Sequence, residues 1–157
     1  MSRPVPTYSV SDLEYLNSVE LPSFTNDDAV ALGLIAVEVI TEWGLNLAVD
    51  IVRGGDLVFR AKLKSTGAGN DSWLDGKAAV AERFGEASML VRARHLEEGT
   101  PFEERTDVDH ERLKAYGGSI PLRVGGQIVA TITASGEADA TDHEAVAEAL
   151  ARYRARS

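Results

Sequence analysis

The sequence predicts an α+β domain, a central antiparallel sheet with helices packed on it, and three observations carry that expectation. Two stretches, LNLAVDIVRGGDLVFRAKL and SIPLRVGGQIVATITA, alternate apolar and polar residues on either side of a Gly-Gly pair, which marks two β-hairpins. Helical spacing of apolar residues occupies the chain before, between and after them. A length of 157 residues without linker or repeat suits one domain with one core. Hairpins that each own one apolar face indicate a sheet covered on that face.

Residues 1–10 carry Pro4 and Pro6 and no periodicity, so they read as a loose arm. Ser11 is placed to cap a short helix over residues 12–18, which Pro22 ends; residues 1–23 are thus an arm and short helix, and residues 24–157 the domain. Thr25 with Asp28 three residues on is a clear helix start, and Asp27 and Asp28 suit the positive helix end. From Ala29 to Trp43 this helix is apolar over more than half its circumference, too much for one small domain to cover, which predicts self-association; Gly44 stops it.

In the first hairpin a two-residue Gly54-Gly55 loop would pair Val49 with Arg60. A three-residue loop, Arg53-Gly54-Gly55, pairs Ile51 with Leu57, Val49 with Phe59 and Leu47 with Ala61, so that register is expected. In the second, a loop of Gly125-Gly126-Gln127 pairs Val124 with Ile128, Leu122 with Ala130 and Ile120 with Ile132. Between the hairpins a flexible loop, STGAGNDSW, feeds a long helix over residues 71–95, with Asn70 or Asp71 as N-cap. The polar stretch that follows holds one short helix around 109–115; a connection of this length is either functional or wraps an oligomer or stays mobile.

Composition excludes several chemistries. Zero cysteines remove disulfides, thiol nucleophiles and thiolate-bound metal. A net charge of −9 with scattered basic residues argues against nucleic acid and anionic membranes as partners. No apolar run approaches the ~20 residues of a membrane span, and MSRPVPTYSVSDLEYL is no secretory signal, so the expected location is cytoplasmic. The glycine pairs of the hairpins precede no helix and are not phosphate cradles. Three histidines, at 95, 110 and 143, have no metal-ligand spacing, and His95 and His110 sit in exposed, charged surroundings.

Two residues stand apart. Trp73, Lys77, Val80, Phe84 and Ser88 form one helical stripe, which puts the Lys77 cation on an apolar face. Lys77 either lifts its amine to water or pairs with Asp71 or Asp75, or it receives a carboxylate or phosphate in a pocket that Trp73 would floor; otherwise Trp73 is plain core. Thr141-x-x-Glu144 reads as a capping box, and Asp142 complements the helix dipole. Capping leaves His143 unexplained. The positive helix end favours its neutral imidazole, able to ligate a metal or accept a hydrogen bond; otherwise His143 simply bonds a neighbouring backbone group or carboxylate. Gly117-Gly118 before the third strand suggests a close backbone approach or a tight turn.

Taken together in this order, SFTNDDAVALG, GNDSWLDGKAAVAERFGEAS, FEE, YGGSIPLRVGGQIVATITASG and DHEAVAEAL resemble the haem-degrading (GlcG/HbpS-like) family, and most closely its small cytosolic branch found in bacteria and yeast. The resemblance runs over residues 24–153. It implies a profilin-like domain assembled through dimers into larger homo-oligomers, with a tetrapyrrole such as haem or another small molecule bound between subunits. The motif residues carried over are Asn70, Asp71, Trp73, Lys77, Phe84, Gly117, Gly118, Gly136, Asp142 and His143. Of these Asn70, Asp71, Trp73, Lys77, Gly117, Gly118 and His143 are the ligand-binding candidates, with His143 the candidate axial ligand of haem iron and Lys77 the partner of a propionate. The stretch ITASGEADATDHE departs from the related motif, where Leu-Pro often follows Ser-Gly, so the resemblance leaves contacts by residues 136–138 open. Three readings stay open: a small-ligand or haem-binding oligomer, a non-catalytic scaffold for protein partners, and an enzyme on a small substrate.

Overall fold

The computed structural model describes residues 3–156; the first two residues of the expected arm, and residue 157, lie outside the described residues. Four strands, β1 (Ala48–Arg53), β2 (Asp56–Lys62), β3 (Ser119–Val124) and β4 (Gln127–Ser135), form one antiparallel sheet in the order β2-β1-β4-β3. Five helices surround it: α1 (Val10–Leu13), α2 (Asn26–Glu42), α3 (Asp71–Phe84), α4 (Ser88–Glu97) and α5 (Asp139–Arg156). The predicted α+β architecture is the observed one.

Both hairpin turns are tighter than expected. Gly54-Gly55 and Gly125-Gly126 are two-residue turns in which both glycines have positive φ, the geometry that matches strand twist. Pairing starts as Arg53 with Asp56 and Val124 with Gln127, not with the three-residue loops. A bulge at Val58 and another at Val129 then restore the apolar face: beyond them Ile51 faces Phe59, Val49 faces Ala61, Leu122 faces Ala130 and Ile120 faces Ile132. The rejected short loop is thus made workable by one extra residue in each returning strand.

The apolar face carries Val49, Ile51, Ile120, Leu122, Ala130, Ile132 and Ala134, buried in a single core with Leu32 and Val39 of α2 and Val146 and Leu150 of α5. Gly33 lets α2 settle on β2, since a Cβ there would stand 2.4 Å from the Phe59 ring. The second face is covered as well, contrary to the one-face expectation. It bears Asp50, Ser119, Thr131, Thr133 and Ser135, all buried, and α3 lies against β3 and β4 there. Short hydroxyls admit a helix closely and bond one another, as Ser119 Oγ and Thr133 Oγ1 do at 2.9 Å. Asp50 is tied by the Arg60 guanidinium (2.7 Å), which also holds Asp71 at the start of α3 (3.1 Å).

The helices correct four further expectations. α1 is capped by Ser9, not Ser11, and gives way to a 3₁₀ turn over Glu14–Ser18. The arm is not loose: the Arg3 guanidinium lies 3.5 Å above the Trp43 ring and pairs with Glu144, and Tyr8 packs edge-on to His143. The long helix is two, α3 and α4, because Gly85 adopts a left-handed φ of +69° and the Arg123 guanidinium takes its carbonyl. No helix forms at 109–115. That segment instead buries Leu113 and Ala115, with Phe102, against Val80 and Val91 in a small second core. Thr25 and Asp28 do form the predicted capping box of α2.

Candidate functional site

A cleft of about 430 Å³ opens where β4 ends and the chain turns into α5. Its walls come from three places: Gly69, Asn70, Trp73 and Lys77 at the start of α3; Ser135, Gly136, Glu137, Asp139 and Asp142 from the β4–α5 turn; and Tyr116. Lys77 lies at its base with 3% of its side chain exposed. Its Nζ donates to Asp142 Oδ2 at 2.8 Å and to the Ala134 carbonyl at 2.9 Å. The pairing partner is therefore neither Asp71 nor Asp75 but a carboxylate 65 positions along the chain.

Asp142 stands here because α5 begins at Asp139, earlier than a cap at Thr141 would allow. The Thr141 and Asp142 amides both donate to the Ala138 carbonyl, so both residues belong to the first turn and no capping box forms. Asp142 Oδ1 accepts from the Glu137 amide at 3.0 Å, folding the turn back, while Oδ2 meets Lys77. Burial pushes the Asp142 carboxyl up to about 6, against the pull of the Lys77 ammonium. Two hydrogen bonds occupy two of the three ammonium protons of Lys77, which leaves the third without a partner among the described residues.

The upper walls are aromatic and amide. Trp73 is 41% exposed, not core, and meets Tyr116 edge-on at 5.6 Å. Asn70 holds the expected N-cap position of α3 but makes no side-chain capping bond: its Nδ2 donates to the Ser135 carbonyl and hydroxyl and its Oδ1 accepts from the Gly67 amide, so the side chain braces the turn. Glu137 and Asp139 add two carboxylates. Glu137 accepts from the Asn46 amide at 2.8 Å, and Asp139 from the Gly117 amide at 3.0 Å.

The glycines the sequence singled out act from behind this wall. At Gly117 a Cβ would collide with the Asp139 carbonyl and Met89 Sδ; at Gly118, with φ +137°, it would press on the Ala134 carbonyl and the Lys77 ammonium. Gly136 has φ +147° and its Cβ would lie 2.2 Å from the Asn46 carbonyl, and it lines the cleft with Glu137, in the turn whose contacts the resemblance left open. Asp71 points away, paired with Arg60 and Lys62. His143 is 1% exposed, does not line the cleft, and has no partner for Nδ1 among the described residues. Its imidazole is neutral as expected, but burial is the cause, lowering it to about 4. His95 is half-buried between Phe84 and Phe102, not exposed, whereas His110 is exposed.

Tyr116, Ser135, Glu137 and Asp139 were missed. Tyr116 immediately precedes the Gly117-Gly118 pair and Ser135 immediately precedes Gly136, so adjacency to crowded glycines was the available signal. Among the described residues no group of three His, Asp or Glu side chains is placed to hold a metal ion, and no helix is long and apolar enough to cross a membrane.

A family model described as haem degrading protein HbpS-like matches residues 24–151. A UPF0303 protein of Streptomyces coelicolor is 44% identical over 131 residues, 83% of each chain. The crystal structure of the Ybr137w protein matches with TM-score 0.84 and 25% identity over 96% of this chain and 90% of that one. That of a PduOC:heme complex matches with TM-score 0.68 and 20% identity over 85% and 94%, a likeness of fold. The fold, the ordered motifs and these matches agree: the chain belongs to the HbpS-like family of haem-degrading proteins.

Proposed function

We propose that this chain is a self-associating small-molecule-binding protein that holds a polar, oxygen-bearing ligand in the cleft between α3 and the β4–α5 turn. The observation that carries this reading is the Lys77 ammonium, taken out of water at the base of a cleft with one proton uncommitted. Burying a lysine costs several kcal/mol unless its charge is matched, and Asp142 matches it. A ligand oxygen on the third proton would sit over Ser135, beside Trp73 and Tyr116.

Haem is the ligand that the family description and the PduOC complex suggest. It asks for an axial donor and room for two propionates. None of the cleft residues is His or Met. Tyr116 is the one axial-type donor, and burial together with Glu103 pushes its hydroxyl up, away from the phenolate that iron takes. Glu137, Asp139 and Asp142 surround the single cation that a propionate would need. His143, the axial candidate, is sealed behind Tyr8. The cleft therefore does not fit haem, and we derive no chemistry through it; a smaller molecule with one acceptor group fits better.

The test is a titration of a panel of short-chain carboxylic acids followed by fluorescence in a Trp43→Phe background, where Trp73 is the one indole that emits. Saturable changes are expected in the parent and should vanish in the neutral pair Lys77→Met/Asp142→Asn, chosen to avoid stranding a buried charge. A response that survives in the folded double variant would move the ligand elsewhere. Haem added to the parent and to His143→Ala should give identical spectra; a Soret shift lost with His143 would restore haem ligation there. Self-association is supported by Val30 and Leu34, exposed on one side of α2.

A further inference from the structure

On the other side of the Trp73–Tyr116 pair lies a second hollow, of about 410 Å³, that the cleft reading does not use. Its floor is apolar, made by the buried Phe102 and Leu113 of the small second core. His110 stands edge-on to Phe102 at 5.6 Å, held by its Nε2 against the Arg105 carbonyl at 2.7 Å. Trp73 presents its exposed ring between hollow and cleft.

The charge at the rim is fixed by backbone design. Lys114 donates its amide to the Gly76 carbonyl at 3.0 Å, and Gly76 has no side chain to displace the Lys114 stem, since a Cβ there would stand 2.6 Å from Lys114 Cγ. The stem is thereby laid along α3 and the ammonium arrives 5.0 Å above the Trp73 ring, with one proton given to the Glu111 carbonyl. Glu103, the acid at this rim, is neutralised by Arg92 at 2.7 Å. In a chain of net charge −9 this leaves a cation beside an open aromatic wall.

We infer that this hollow is a second binding site, for a planar aromatic molecule that carries a carboxylate. The flat ring packs on Trp73 and Phe102, and the carboxylate meets the Lys114 ammonium. This inference stands apart from the cleft, because none of the groups that would bind the carboxylate belongs to it.

The probe is 2-naphthoate, titrated calorimetrically against the full chain, with the uncharged 2-naphthalenemethanol as its comparison. Saturable binding of the acid is expected, weakened about fivefold or more by Lys114→Gln, which keeps the Cβ and Cγ that lie against Gly76 and removes only the charge of this half-buried side chain. The alcohol should bind the parent and Lys114→Gln equally and more weakly than the acid does. The Lys77→Met/Asp142→Asn protein should bind naphthoate as the parent does, even if the cleft reading fails. The inference is overturned by equal affinity for acid and alcohol, by loss of naphthoate binding in the Lys77/Asp142 variant, or by no binding at millimolar concentration.

Discussion

Lys77 is the residue at which sequence and structure speak most directly to each other. Its spacing exposed it as a cation on an apolar stripe, which was enough to single it out, but its partner Asp142 could be found only in three dimensions. Asp142 read as a dipole-stabilising residue because local rules see only the helix start, and the helix began earlier than those rules placed it. Breaking one half of a buried pair strands the other: Lys77→Met alone should lose about 3–5 kcal/mol in denaturant unfolding, and adding Asp142→Asn should recover most of it. Additive losses would deny the pairing. Titration behaviour separates the buried groups further. Burial raises Asp50 and Asp142 to about 6, so their contribution to stability is full below pH 4 and is lost as pH rises through about 6. His143 works the other way: lowered from 6.5 to about 4, it favours the fold above pH 6.5 and costs stability as pH falls towards 4. His143→Gln should therefore gain on the parent by roughly 3 kcal/mol between pH 7 and pH 4. Parallel stability curves would mean that His143 is not buried as described.

At the scale of elements, the Gly-Gly pairs announced both hairpins and the alternation announced which residues face the core. The bulges at Val58 and Val129 were not legible, because an extra residue in one strand leaves the alternation of each separate arm almost unchanged. Gly85 was in plain view within AERFGEAS, yet the apolar spacing on either side is compatible with one helix, and only the left-handed φ splits α3 from α4. The hydroxyl-bearing second face of the sheet looked like a solvent face. Ser119, Thr131 and Thr133 are instead the low surface on which α3 lies. Among the glycines, Gly136 in the β4–α5 turn leaves a Cβ the least room, and there the obstacle is the Asn46 backbone, which cannot swing aside. Gly136→Ala should lower stability by at least about 2 kcal/mol and distort the cleft wall, seen as a fall in Tm with loss of ligand response. A parent-like Tm would show that the turn has slack. Gly33→Ala tests α2 against β2 in the same manner. Its cost, about 1–3 kcal/mol from crowding the Phe59 ring, should shrink in a Phe59→Leu background.

For the whole molecule, the architecture and family were readable from ordered motifs spread over the chain, while the site is composed of three segments that no local pattern joins. α3 supplies the cation and Trp73, the β4–α5 turn the acids, and the 102–116 connection supplies Tyr116 and the second core. That connection, read as functional, as wrapping an oligomer or as mobile, is a wall with hydrophobic anchorage. Val30 and Leu34 remain exposed on α2 after the fold is complete, which is the surface the sequence argument for self-association needs. Sedimentation at micromolar concentration should find dimers or larger species, and Leu34→Asp should shift them towards monomer; a monomeric parent would remove self-association from the account.

A dehydrated Lys77 ammonium that offers its third proton to a ligand can be observed directly by ¹⁵N NMR of lysine-labelled protein. One slowly exchanging side-chain NH₃⁺ resonance, absent from Lys77→Met/Asp142→Asn, is predicted, and it should shift saturably with the carboxylic acid that perturbs Trp73. A Lys77 signal that exchanges as fast as those of surface lysines, or that stays fixed while Trp73 responds, would contradict the account.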